Sequence, residues 1–153
     1  SFLFINNCSL QKFFIFLVGC VLTLTACADH YQFINYSELP AQAQAFIQKH
    51  FNLEDISHVE RDRDGVHYEY NVYFKNATEI DFDYQGNLQS IDCKHIAVPK
   101  GIVPEVIMSF ISLHYPNLYV VEYVIDYRHQ TVELNNEMEL IFDREGRFLR
   151  MDD

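Results

Sequence analysis

The chain has 153 residues, with 11 Lys and Arg against 22 Asp and Glu and a formal net charge of −11 at pH 7. Lys12 is the only charged residue before position 28, so residues 28–153 carry a net charge of −12. This balance argues against a nucleic-acid partner and against electrostatic docking on anionic lipid, because both are bound by clustered Lys and Arg. A basic protein or peptide partner is compatible with it.

The first 27 residues have the pattern of a secretory signal peptide, since Lys12 precedes an apolar run over residues 13–22 and small residues follow. That run is shorter than the about 20 apolar residues of a typical transmembrane helix. Leu24-Thr25-Ala26-Cys27 resembles a bacterial lipoprotein signal, in which Cys27 is lipidated and becomes the first mature residue. The alternatives are a transmembrane anchor and an ordinary secretory signal, which would release a soluble secreted protein.

Cysteine usage and location follow from that prediction. Cys8 and Cys20 leave with the signal and Cys27 carries lipid, so Cys93 remains alone and cannot form an internal disulfide. We expect its thiol to be half-buried at a strand end. The predicted location is the bacterial cell envelope, as a periplasmic or outer-membrane lipoprotein whose only membrane association is the N-terminal lipid.

Two segments of the chain occur twice. Residues 79–92 recur as residues 139–152 at an offset of 60, and residues 39–51 recur as residues 103–115 at an offset of 64. A unit of this size buries too little apolar surface by itself, so the two copies are expected to form one structure. The predicted organisation is a tether over residues 28–36, a first repeat over 37–93 and a second over 94–153.

Each repeat is predicted to begin with a helix and to continue with about four antiparallel strands. Pro40 and Pro104 precede apolar residues at helical spacing. Further along, apolar and polar residues alternate, as in Ile80, Phe82 and Tyr84, which is typical of strands with one buried face. The predicted fold class is α+β: two tandem helix-plus-antiparallel-sheet repeats forming a roughly eight-stranded sheet, with the helices packed on one face.

The repeated motifs resemble those of bacterial periplasmic PepSY-like proteins, which are also described as beta-lactamase-inhibitor-like. The similarity covers residues 37–152 and is carried mainly by Phe82-Asp83-Tyr84-Gln85-Gly86 and Phe142-Asp143-Arg144-Glu145-Gly146. The resemblance implies a two-repeat sheet with helices on its convex side, secretion, and a binding or inhibitory role. It implies no catalytic residues.

The sheet face turned away from the helices is the predicted binding surface, because Tyr among carboxylates suits the Arg and Lys side chains of a partner. The alternative is an ordinary solvated sheet face. The face is predicted to contain Glu69, Asn71, Tyr73, Glu79, Asp81, Thr131, Glu133, Glu139 and Ile141. Those predicted to bind a protein partner are Glu69, Tyr73, Glu79, Asp81, Glu133 and Glu139.

The sequence contains no Ser-His-Asp motif, phosphate-binding loop or HExxH pattern, so we predict no catalytic residue, metal site or cofactor. The first hypothesis is a non-enzymatic envelope module that binds an unidentified protein or peptide and restrains a peptidase or another enzyme. The alternatives are a carboxylate-based hydrolase and a small-ligand or cation sensor. The copies differ on the predicted face at Tyr73 against Glu133 and at Asp81 against Ile141, so we expect specificity to lie there.

Overall fold

The computed structural model describes residues 31–152, and both the predicted signal peptide and the lipidation predicted at Cys27 lie outside them. Two ten-residue helices are present in that part of the chain, α1 (Ala41–His50) and α2 (Glu105–His114). The strands, in chain order, are β1 (Gln32–Ile34), β2 (Ile56–Asp64), β3 (His67–Phe74), β4 (Glu79–Phe82), β5 (Leu88–Asp92), β6 (Val120–Ile125), β7 (His129–Leu134), β8 (Glu139–Asp143) and β9 (Phe148–Asp152). Neither helix of the described region is long and apolar enough to cross a membrane.

The nine strands form one sheet whose spatial order is the order in the chain, with every neighbouring pair antiparallel. The two repeats meet at the pairing of β5 with β6, where Ile91 lies opposite Tyr123 and Asp92 lies opposite Glu122. The duplicated units are therefore two halves of one continuous sheet. The predicted α+β fold, with both helices on one face, is confirmed.

Both helices pack on the same face of the sheet and bury equivalent residues. Ala43 and Ile47 of α1 are buried, as are Ile107 and Ile111 of α2. They belong to a single apolar cluster that contains residues of both repeats. At its centre Phe82 and Phe142 are fully buried, and each meets an aromatic ring of its helix, Phe46 at 5.6 Å and Phe110 at 5.4 Å between ring centroids.

The structure corrects three expectations at the edges of these elements. Within the predicted tether, Gln32–Ile34 form β1 on the edge of the sheet and Tyr36 packs against the core, so the fold begins earlier than predicted. Three residues are too few to show the alternation that identifies a strand. Tyr84 lies in the turn after β4 and is exposed, because the strand ends at Phe82. Cys93 is buried at 2% exposure, more than expected, and burial raises the pKa of its thiol.

The repeated Asp-x-x-Gly motif is a turn that seats each helix on the sheet. Asp83 accepts hydrogen bonds from the backbone N–H groups of Gln85 and Asn87 at 2.9 and 2.8 Å. Asp143 accepts the equivalent bonds from Glu145 and Arg147 at 3.0 and 2.8 Å. Asp commonly stabilises turns in this way.

The glycine of each turn has a positive φ and lies against the first turn of a helix. A Cβ on Gly86 would lie 2.9 Å from the backbone N of Ala43, and one on Gly146 would overlap Val106 Cγ1. Their φ values are +88° and +80°. The glycines therefore recur for two reasons, backbone conformation and close packing.

Gly146→Ala is expected to destabilise the protein by about 2–4 kcal/mol, since it adds the strain of a positive φ to an overpacked contact. Gly65→Ala is the matched control, because Gly65 has a φ of +60° but open space around its Cβ position. It should cost only about 1 kcal/mol. Urea unfolding of both variants measures the difference, and equal losses would contradict the packing role.

Candidate functional site

The sheet face opposite the helices, here called the open face, carries the polar members of each strand. In β4, Ile80 and Phe82 are buried in the core while Glu79 and Asp81 alternate with them. In β7 the same alternation puts Glu133 on the face away from the core, while its neighbours Val132 and Leu134 are buried. Each of the nine residues predicted for this face alternates with residues that pack on the core side.

Six carboxylates lie side by side on the open face, one on each of six successive strands. Each is directly opposite the next in the register of the sheet. With neighbouring strands about 4.8 Å apart, the line extends for about 24 Å. We call it the carboxylate row; in spatial order it consists of Glu79, Asp92, Glu122, Glu133, Glu139 and Asp152.

The carboxylate row costs the folded state free energy, because like charges directly opposite each other across a sheet are destabilising. Two cations partly compensate it. Lys94 forms an ion pair with Asp92, and Arg150 lies 3.3 Å from Asp152. These ion pairs involve Asp92 and Asp152. At the centre of the row, the Glu122 and Glu133 carboxyl groups contact each other.

Glu122 is the most strongly perturbed acid of the row. Burial, together with the negative charges of Asp92, Glu133 and Glu139, raises its pKa from 4.5 to about 7. A hydrogen bond with Glu133 acts in the same direction. Glu122 is therefore partly protonated near neutral pH, and a cation brought to it would displace the proton.

The raised pKa predicts how stability depends on pH. In the unfolded chain Glu122 titrates near 4.5 and in the folded protein near 7, so the folded state binds more protons between these values and loses stability as pH rises through them. We expect Glu122→Gln to match wild type at pH 5 and to be more stable by about 1 kcal/mol at pH 8, allowing for solvent screening. Urea unfolding at both pH values checks this, with Glu54→Gln as control. A constant difference between Glu122→Gln and wild type would contradict it.

An aromatic cluster continues the carboxylate row on the first repeat. Tyr73 lies opposite Glu79, and its ring stacks on His58 with 4.5 Å between centroids. Phe33 on the edge strand meets His58 at 5.5 Å and is 64% exposed. We call Phe33, His58 and Tyr73 the aromatic end. The open face thus presents aromatic rings at its β1–β3 side and the carboxylate row across β4–β9.

The aromatic end and the carboxylate row occupy equivalent positions of the two repeats. At the offset of 64, His58 corresponds to Glu122, and both follow a bulge at the start of their strands. At the offset of 60, Tyr73 corresponds to Glu133. The stacked His58–Tyr73 pair of the first repeat is thus replaced by the Glu122–Glu133 pair in the second. Two positions are acidic in both repeats: Glu79 corresponds to Glu139, and Asp92 corresponds to Asp152.

A second row of the open face is less charged. Asp81 accepts a hydrogen bond of 2.6 Å from Ser90, and burial is the main reason that its pKa is raised. Ile141, its counterpart in the second repeat, is buried at 6% exposure although it lies outside the core cluster. At this position the first copy therefore has a half-buried carboxyl and the second has a buried apolar side chain.

The structure brings some of the predicted site residues together and separates others. Glu79, Glu133 and Glu139 lie in the carboxylate row, and Tyr73 adjoins it. Asp81 lies in the second row, and Glu69 pairs with Asp62 of β2 beyond the end of the β3–β4 pairing. Three acids of the row were not predicted from the sequence: Asp92, Glu122 and Asp152. The role of the predicted residues in binding stays a prediction.

The fold and the open face together define a class: two-repeat antiparallel sheets with a helix on one side of each repeat and an acidic surface on the other. The model of the family described as "Putative beta-lactamase-inhibitor-like, PepSY-like" matches residues 25–70 and 68–150. The chain belongs to this family, as its repeated motifs indicated. No curated protein matches it.

Solved structures of similar proteins have the same fold. A "putative calcium-regulated periplasmic protein" from Bacteroides thetaiotaomicron is 31% identical, with a TM-score of 0.77 over 82% of this chain and 98% of its own. A "putative periplasmic protein from DUF2874 family" from Bacteroides vulgatus is 29% identical, with a TM-score of 0.78 over 82% and 99%. A "putative periplasmic protein of unknown function", also from Bacteroides vulgatus, is 26% identical, with a TM-score of 0.76 over 80% and 99%.

Proposed function

We propose that this protein is a non-enzymatic periplasmic binding module whose open face binds a protein or peptide segment containing Lys or Arg. The observation that carries the proposal is the carboxylate row, with six acids on consecutive strands. The descriptions of three solved relatives as periplasmic support the location. Lipid anchoring through Cys27 remains part of the proposal.

The charge arrangement favours a basic partner for a physical reason. In the free protein, neighbouring carboxylates of the row repel each other, and a bound Lys or Arg side chain would reduce this repulsion. Arg fits neighbouring carboxylates particularly well, because its planar guanidinium donates two parallel hydrogen bonds. Glu122 and Glu133, opposite each other at the centre of the row, are the pair best placed to receive one.

The aromatic end would determine the orientation in which a partner segment binds across the open face. Phe33, His58 and Tyr73 provide ring faces and edges at the β1–β3 side of the open face. Aromatic residues are enriched at protein interfaces, where an exposed ring can be buried against an apolar side chain. A matching segment would cross the strands with its basic residues over β4–β9 and an apolar or aromatic residue over β1–β3.

An inhibitory role is the more specific form of this proposal. The family description includes the words beta-lactamase-inhibitor-like, and this wording supports restraint of an enzyme as the consequence of binding. The partner enzyme would need a basic surface to match the open face.

Calcium binding is not part of the proposal, although one relative is described as calcium-regulated. Calcium takes six to eight oxygen ligands. Among residues 31–152, no group of three or more His, Cys, Asp or Glu side chains is placed to hold a metal ion. The row spreads its carboxylates along a line, which suits a series of separate cationic side chains better than one ion.

Capture from a periplasmic extract tests the proposed function. The immobilised wild-type protein should retain a partner that the Glu122→Gln/Glu133→Gln variant does not retain. Glu54→Gln/Glu145→Gln is the matched control, because it removes two charges from exposed turns and should capture normally. Retention that is the same on all three proteins would refute the role of the open face.

A further inference from the structure

The helix side of the sheet contains a cavity that is lined by residues of the second repeat. It lies between α2, the connection that follows β5 and the start of β6, and its volume is about 420 Å³. Its walls include Val98, Val103, Met108, Ser112 and Tyr119. This volume is within the range of small-molecule sites. The cavity is on the opposite side of the sheet from the carboxylate row, so the inference is independent of the proposed function.

The first repeat shows what fills the equivalent space. At the offset of 64, Met108 corresponds to Gln44, Ser112 to Gln48, and Lys100 to Tyr36. The Tyr36 ring lies along α1, where its hydroxyl donates a 2.9 Å hydrogen bond to the backbone carbonyl of Gln44 and lies near the Gln48 side chain. A half-buried tyrosine thus covers the helix face that lines the cavity in the second repeat.

The backbone explains why the second repeat does not fill its own cavity. Tyr36 begins a 3-10 turn that lays its ring on the helix. The corresponding segment has Gly101 with a φ of +86°, a conformation outside that of a 3-10 turn. Lys100, which corresponds to Tyr36, is exposed and has no ring, and the Tyr119 side chain in the cavity wall donates its hydroxyl to the backbone carbonyl of His95.

From this equivalence we infer that the cavity beside α2 binds a small, uncharged phenolic compound in the place that Tyr36 occupies in the first repeat. The ring would pack among Val98, Val103 and Met108, and its hydroxyl would donate to the backbone carbonyl of Met108, the counterpart of the Gln44 acceptor. Lys100 and Glu105 both line the cavity and have opposite charges, so the site as a whole favours a neutral ligand.

Titration of the full protein with p-cresol, which is the tyrosine side chain as a free molecule, tests this inference. Backbone amide NMR shifts should saturate with a Kd of about 1 mM or lower and should be confined to the residues that line the cavity. Toluene has the ring without the hydroxyl, so it should bind about three- to tenfold more weakly.

Two variants make the result decisive. Ser112→Phe adds a ring from an exposed helix position and should abolish p-cresol binding without unfolding the protein. Tyr36→Ala should open an equivalent space in the first repeat, so that p-cresol also shifts residues along α1 and raises the melting temperature. If p-cresol shows no saturable binding to the wild-type cavity, the inference is wrong, whether or not it occupies the engineered space. Binding that Ser112→Phe does not affect would also overturn it.

Discussion

Replacing both Glu122 and Glu133 with Gln is expected to weaken the binding of a basic partner about 10- to 100-fold while making the folded protein more stable. The loss follows from removing two charge-assisted contacts, each worth roughly one factor of ten. The gain follows from removing a carboxyl whose pKa is raised to about 7 by burial and by the repulsion of its neighbours. Few structural substitutions lower binding affinity while raising stability, so this combination of effects is diagnostic of a functional surface.

Calorimetric titration of the partner and urea unfolding, both at pH 8, measure the two effects. The Glu54→Gln/Glu145→Gln control has the same net charge as the double variant but leaves the row intact. If the control loses as much affinity, the attraction depends on net charge rather than on the row. Binding to wild type should also weaken as salt is added, because exposed charges are screened.

Phe82→Ala and Phe142→Ala are each expected to cost about 3–5 kcal/mol, the usual cost of removing a fully buried aromatic side chain. They occupy equivalent positions of the two repeats, each against the aromatic ring of its own helix. Because one core cluster contains both, either substitution should destabilise the entire sheet. Unfolding should remain a single transition in both variants.

Circular dichroism and amide hydrogen exchange during urea unfolding can verify this behaviour. Leu149→Ala on the edge strand is the control, since Leu149 is 48% exposed and should change stability by less than about 0.5 kcal/mol. Two separate transitions, or exchange that increases in only one repeat, would show that the repeats fold independently and would contradict the shared core.

Period-two alternation was sufficient to place most of the open face from the sequence. Tyr73, Glu79, Asp81, Glu133 and Glu139 each alternate with apolar residues, and the structure puts all of them on the face away from the helices. The repeated turns were equally predictable, because Asp83 and Asp143 occupy the same position before a glycine. Local chemistry determines both features, so one sequence carries enough information for them.

The carboxylate row was not predictable, because it depends on how separate strands pair. Asp92 lies opposite Glu79 within the first repeat, but it meets Glu122 only through the pairing of β5 with β6, which joins the two repeats. Glu122 enters it only because the bulge between Val120 and Glu122 shifts the register of β6. A one-residue shift exchanges the faces of a strand, and alternation alone does not reveal it.

The two copies differ on the open face at the point where its chemistry changes from aromatic to acidic. The His58–Tyr73 stack and the Glu122–Glu133 pair are the same two positions of the repeat with opposite chemistry. The residues that maintain the fold have stayed alike, as at Phe82 and Phe142 or at Gly86 and Gly146. The expectation that specificity lies in the mismatches therefore gains a definite form: an aromatic pair beside an acidic pair.

The most direct test is to map where a basic ligand contacts the protein. A Lys-rich peptide with one aromatic residue, titrated into the protein and followed by backbone amide NMR, should shift residues around Glu79, Asp92, Glu122 and Glu133 and around Tyr73. The shifts should disappear in the Glu122→Gln/Glu133→Gln variant and persist in the Glu54→Gln/Glu145→Gln control. Shifts confined to α1, α2 or the turns would contradict the proposal that the open face is the binding surface.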